Sequence, residues 1–84
     1  MANKLFDLTI VTPEKIVYEG KISSLIVPAE LGYLGVLADH MPLIANLVKG
    51  KVIAKEASGK VANFYAKERG FIEVLRNKVT VILN

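Results

Sequence analysis

Phe71-Ile72-Glu73-Val74-Leu75-Arg76-Asn77-Lys78-Val79-Thr80-Val81-Ile82-Leu83 reads as two short strands folded back on each other about Arg76-Asn77. In the second of them Val79, Val81 and Leu83 share a face opposite Lys78 and Thr80, the two-residue repeat of a strand with one better buried side. Working backwards, Arg69-Gly70 interrupts a run from Val61 to Glu68 that sets Ala62, Phe64 and Ala66 on one face, and Ser58-Gly59 supplies a hairpin turn into that run. Lys51 to Glu56 places Val52 and Ala54 against Lys51, Ile53 and Lys55, and lysines so distributed suit an edge strand protected from pairing.

The first half has the same grammar. Phe6, Leu8 and Ile10 alternate with Asp7, Thr9 and Val11 up to Thr12-Pro13; Ile16-Val17-Tyr18 stops at Glu19-Gly20, and Ile22 to Val27 stops at Pro28. Leu43 to Val48 is apolar and ends at Lys49-Gly50. Between them, Gly32 to Ile44 holds two glycines, Pro42 and the single histidine, and reads as a tight, fixed connection between strands. A helix over Leu43 to Lys55 is rejected because Gly50 sits inside it among β-branched residues. The expectation is an all-β fold, a flattened sandwich or barrel of two antiparallel sheets, in one domain spanning residues 1–84.

Composition narrows the function classes. The 84 residues, 52% hydrophobic and 23% charged, give a globular chain that buries roughly 60% of its unfolded surface. No membrane-length apolar run and no secretory pattern after Met1-Ala2-Asn3-Lys4 are present, so a soluble protein is expected. Zero cysteines and one histidine argue against disulfides and zinc. The net charge of +3 is scattered along the chain, which leaves nucleic-acid binding unsupported by any basic run.

Three classes of chemistry are weighed. Asp39 and His40 are adjacent, but neighbours on a strand point apart and no nucleophile accompanies them, so no catalytic residue is assigned. Gly32 and Gly35 lack the Gly-Lys-Ser/Thr continuation of a phosphate loop, and no cofactor or metal is expected. Tyr18, Phe64, Tyr65 and Phe71 would be the base-stacking residues of a small barrel binding single-stranded nucleic acid, the alternative reading, although Phe64 in register with Ala62 and Ala66 has the pattern of a core residue.

Leu8-Thr9-Ile10-Val11-Thr12-Pro13-Glu14-Lys15 with Tyr18-Glu19-Gly20, then Gly32-Tyr33-Leu34-Gly35 leading to His40-Met41-Pro42-Leu43, then Gly70-Phe71-Ile72-Glu73-Val74 and Asn77-Lys78-Val79-Thr80-Val81, resemble the epsilon subunit of F-type ATP synthases along the whole chain. The resemblance implies a β-sandwich that is not itself an enzyme. It implies a central-stalk rotor part, bound to the gamma subunit and the c ring, that couples ion flow to ATP synthesis. It also implies membrane association only through the complex, peripheral on the cytoplasmic face of a bacterial plasma membrane or the stromal face of a thylakoid, with no nucleic-acid partner.

By position, the resemblance implies that Thr12, His40 and Ala45 face gamma. It implies that the turn Ala29-Glu30-Leu31-Gly32-Tyr33 meets the c ring. Family members usually continue into a C-terminal helical hairpin, which blocks hydrolysis and in some members binds ATP; neither property is expected within these 84 residues. Two positions depart from the family's pattern. Tyr33 stands where many members carry a carboxylate, which leaves Glu30 to supply the charge, and Arg69 stands where a glycine pair is common.

Overall fold

A computed structural model describes residues 4–84; the reading of Met1-Ala2-Asn3 falls outside them. The described residues form eight strands: β1 (Phe6–Val11), β2 (Ile16–Ala29), β3 (Gly32–Val36), β4 (Leu43–Leu47), β5 (Gly50–Glu56), β6 (Val61–Ala66), β7 (Gly70–Leu75) and β8 (Lys78–Leu83). Backbone pairing links all eight into one sheet. It folds over so that β4, β7, β8, β1 and the first part of β2 make one half, and β3, the second part of β2, β5 and β6 make the other. Every ladder is antiparallel except β1–β8.

The alternating residues supply the core. Phe6, Leu8 and Ile10 of β1, and Val79, Val81 and Leu83 of β8, are buried in one cluster with Leu25 and Val27 of β2 and Val52 and Ala54 of β5. Both expected hairpin turns form. Gly59, at φ 91°, donates its N–H to the Glu56 carbonyl at 2.9 Å, and Asn77, at φ 57°, closes the β7–β8 turn. Ala66 is buried, whereas Phe64 is only half-buried and meets the Tyr18 ring edge-on, centroids 5.4 Å apart.

Three expectations are corrected. The two short strands before Pro28 are one strand of 14 residues. Gly20 is not a stop: it pairs with Leu8, and a Cβ there would lie 3.1 Å from the Tyr18 hydroxyl, so the glycine leaves room for a ring. Pro28 is buried within β2, where its missing N–H is harmless and its carbonyl accepts from Val48 N–H at 2.8 Å. The supposed loop from Gly32 contains β3, because Gly32 at φ 128° lets the chain reverse over only Glu30-Leu31 and run back along β2. Finally, β5 lies between β2 and β6 and is not an edge. Its lysines stand on the sheet's outer face, and the edge is β6.

Candidate functional site

The hairpin turn between β2 and β3 projects from the end of the sandwich and is braced against β4. Ala29 pairs with Leu47, and Glu30 N–H donates to the Asn46 carbonyl at 3.2 Å. Between turn and strand runs a groove of about 490 Å³ that gathers Ala29, Glu30, Leu31, Gly32 and Tyr33 with Leu43, Ile44, Ala45 and Asn46. Leu31 is fully exposed (103%), and Ile44 and Tyr33 are 73% and 63% exposed. Large apolar side chains are exposed elsewhere too, Met41 at 79% and Leu37 at 62% among them, but Leu31, Ile44 and Tyr33 gather on one groove, and an apolar cluster of that kind marks a contact surface.

The electrostatics of this end are modest. Arg69 Nη1 lies 3.6 Å from Glu30 Oε2, both side chains well exposed. The residue expected to supply free charge is therefore paired, and its partner is the other position that departs from the family's pattern. Tyr33 lies beside Pro28, its partner on β2, and a Cβ on Gly50 would fall 3.2 Å from its hydroxyl. That glycine, at φ 154°, leaves room first for the Pro28 ring, whose Cβ would lie 2.7 Å from an added Cβ, and then for the Tyr33 hydroxyl.

The three positions expected to face gamma do not share one depression. Ala45 lies in the groove, on the half-buried side of β4 opposite Ile72. Thr12 sits across the molecule in a shallow recess with Val17, Phe64 and Tyr65, its N–H bonded to the Lys15 carbonyl at 2.9 Å. His40 follows β3 in a turn, where its N–H donates to Leu37 at 3.2 Å and its Nδ1 lies 2.7 Å from the Met41 carbonyl. A carbonyl only accepts, so Nδ1 carries the proton.

Asp39 precedes it with a left-handed backbone, φ 63°, and the two are on a turn, not on a strand as the sequence reading assumed. The Asp39 carboxylate accepts from Lys4 Nζ at 2.8 Å and from Asn77 Nδ2 at 2.9 Å, with Arg76 Nε at 3.5 Å. The Lys4 hydrogen bond first, then Asn77, holds it down at a pKa of about 2. A carboxylate so committed is a poor base near neutrality. This cluster was missed in the sequence; the one hint was that Asp and Asn are the residues that tolerate left-handed backbone.

The four aromatics do not assemble into a platform either. Tyr18 and Phe64 pack on each other, with the Tyr18 hydroxyl donating to Glu56 Oε2 at 2.8 Å, whereas Tyr65 and Phe71 are exposed on strands of different halves.

The geometry defines a class: a small β-sandwich whose distinctive surface is a braced apolar turn. The chain belongs to the ATP synthase delta/epsilon chain beta-sandwich domain family, which matches residues 5–84. Among its relatives are ATP synthase epsilon chains of Natranaerobius thermophilus, 43% identical over 98% of this chain and 58% of that one, and of Leptospira interrogans, 38% identical over 96% and 61%. A chloroplastic epsilon chain of Cyanidioschyzon merolae is 40% identical over 92% of this chain and 57% of its own. The chain thus spans about three-fifths of the length of these relatives. A chain in the cryo-EM structure of the Euglena gracilis mitochondrial ATP synthase (OSCP/F1/c-ring) superposes with a TM-score of 0.88 at 19% identity, over 99% of this chain and 52% of that one. One in the central stalk and c-ring of the Tetrahymena thermophila enzyme gives 0.75 at 16%, over 99% and 66%. These likenesses establish the fold.

Proposed function

We propose that residues 1–84 act as one unit, the sandwich domain of an epsilon-type central-stalk subunit in a rotary F-type ATP synthase. It is a non-catalytic part that binds the gamma subunit and the c ring and turns with them, coupling ion translocation to ATP synthesis. It reaches the membrane only through the complex, on the cytoplasmic or stromal side. The observation that carries this reading is the exposed Leu31 at the tip of a turn tied to β4 by the Ala29–Leu47 pair and the Glu30–Asn46 hydrogen bond. An apolar tip on a stiff support suits contact with another moving protein, because little ordering entropy is left to lose on docking.

Thr12, His40 and Ala45 are proposed to face gamma, and the turn Ala29-Glu30-Leu31-Gly32-Tyr33 the ring. The test is a titration of this chain against purified gamma, together with ATP synthesis driven by an ion gradient in vesicles reconstituted with Leu31→Asp. Binding to gamma with synthesis reduced by the tip substitution is expected. No binding to gamma overturns the stalk reading, and unimpaired synthesis overturns the ring assignment.

A further inference from the structure

The open edge of β6 carries none of the usual protection against strand pairing. Among the described residues β6 pairs only with β5, through a ladder without a bulge, and Val61-Ala62-Asn63-Phe64-Tyr65-Ala66 contains no charge, proline or glycine. Bonded and non-bonded pairs alternate along an antiparallel ladder. The hydrogen bond from Glu56 N–H to the Lys60 carbonyl, 2.8 Å, therefore fixes the phase. Ala62 and Phe64, in register with Ala54 and Val52, turn their backbone groups to β5. Val61, Asn63 and Tyr65 turn theirs outward.

From this phase we infer that β6 is a self-association edge, pairing antiparallel with β6 of a second copy of this chain. Outward groups meet outward groups in two registers of fullest overlap. In one, Asn63 faces Asn63, and Lys60 and Lys67 face the uncharged Ala66 and Gly59. In the other, Phe64 lies on the twofold axis, Asn63 faces Tyr65, and the register carried past the strand, to Lys60 just before β6 and to the bend at Glu68 two residues after it, brings these two opposite each other at both ends. Neither Lys60 nor Glu68 takes part in an ion pair among the described residues. The second register is selected by this charge match and continues the β5–β6 half through both molecules. Its short strands make a weak dimer.

This inference does not depend on the stalk reading and is tested on the free 84-residue chain. Sedimentation equilibrium from about 10 µM to about 1 mM, concentrations that populate a dimer whose Kd lies between those limits, should show the mass rising from monomer towards dimer. Lys60→Glu and Glu68→Lys should each weaken association about three- to thirtyfold, since each breaks two exposed ion pairs. The double exchange should restore it, and Asn63→Pro, which removes only an outward N–H, should abolish it. A monomer throughout the range overturns the inference. So does a dimer indifferent to the single exchanges, not rescued by the double one, or retained in Asn63→Pro.

Discussion

Asp39 and Asn77, the two non-glycine residues with left-handed backbones among the described residues, are hydrogen-bonded to each other. Asp39 N–H donates to Asn77 Oδ1 at 2.7 Å, and Asn77 Nδ2 donates back to the Asp39 carboxylate at 2.9 Å. Asn77 also offers its carbonyl to Asp7 N–H at 3.0 Å. One reciprocal pair thus ties the β3–β4 connection, the β7–β8 turn and the start of β1 together: the Asn77 side chain holds the Asp39 backbone, and Asp7 N–H holds the Asn77 backbone.

Asp39 should titrate far below an ordinary carboxyl, at about 2 against 3.8. A folded-state pKa lowered in this way contributes stability that is complete above the ordinary value and is lost as the pH falls through about 2. Carbon-detected NMR of the Asp39 carboxyl should place its midpoint there, and Lys4→Ala or Asn77→Ala should move it upward. A midpoint unaffected by either substitution contradicts the hydrogen-bonded assignment.

Gly70→Ala should be strongly destabilising. A Cβ at this position collides with the Ile82 backbone carbonyl oxygen, which no side-chain rotation can relieve. The expected loss is about 1 to 3 kcal/mol, as for overpacking at a rigid site, read as a lower midpoint in urea with an unchanged slope.

Truncations should separate the core from its margin. Leu8 is fully buried, so Leu8→Ala should cost about 2 to 5 kcal/mol. Phe64 is half-buried against Tyr18, so Phe64→Ala should fall below the usual range for a buried phenylalanine, about 3 to 5 kcal/mol. Equal losses would place Phe64 deeper than its exposure indicates.

Arg69→Ala should leave stability within about 0.5 kcal/mol, because the Glu30 pair is solvent-exposed. It should nevertheless release the Glu30 charge at the turn. If the turn meets the ring, ATP synthesis in reconstituted vesicles should change while the melting temperature does not.

Much of the fold was legible because β1, β6 and β8 each keep a two-residue alternation whose inward face is buried or half-buried; β7 was legible as a strand but not by face, since its outward Phe71 and Leu75 are also apolar. β2 was not, because Gly20 and Pro28 look like punctuation in one dimension. In three, one receives the Tyr18 ring and the other lends its carbonyl to Val48. β3 was hidden by its glycines for the same reason. The tip was reached through family likeness; its pairing of Glu30 with Arg69 joins positions 39 apart in sequence, which no local pattern reports. The Asp39–Asn77 link is equally remote, 38 positions apart.

The continuous β2 gives the molecule a spar. A force applied at Leu31 enters both arms of the β2–β3 hairpin, and along β2 it reaches the ladder with β5 and then the one with β1. Pulling along that strand loads its ladders in shear, where many hydrogen bonds must break together, whereas prising β6 away from β5 would unzip them one after another. The sandwich is therefore mechanically anisotropic, toughest along the line from its apolar tip to Ile16.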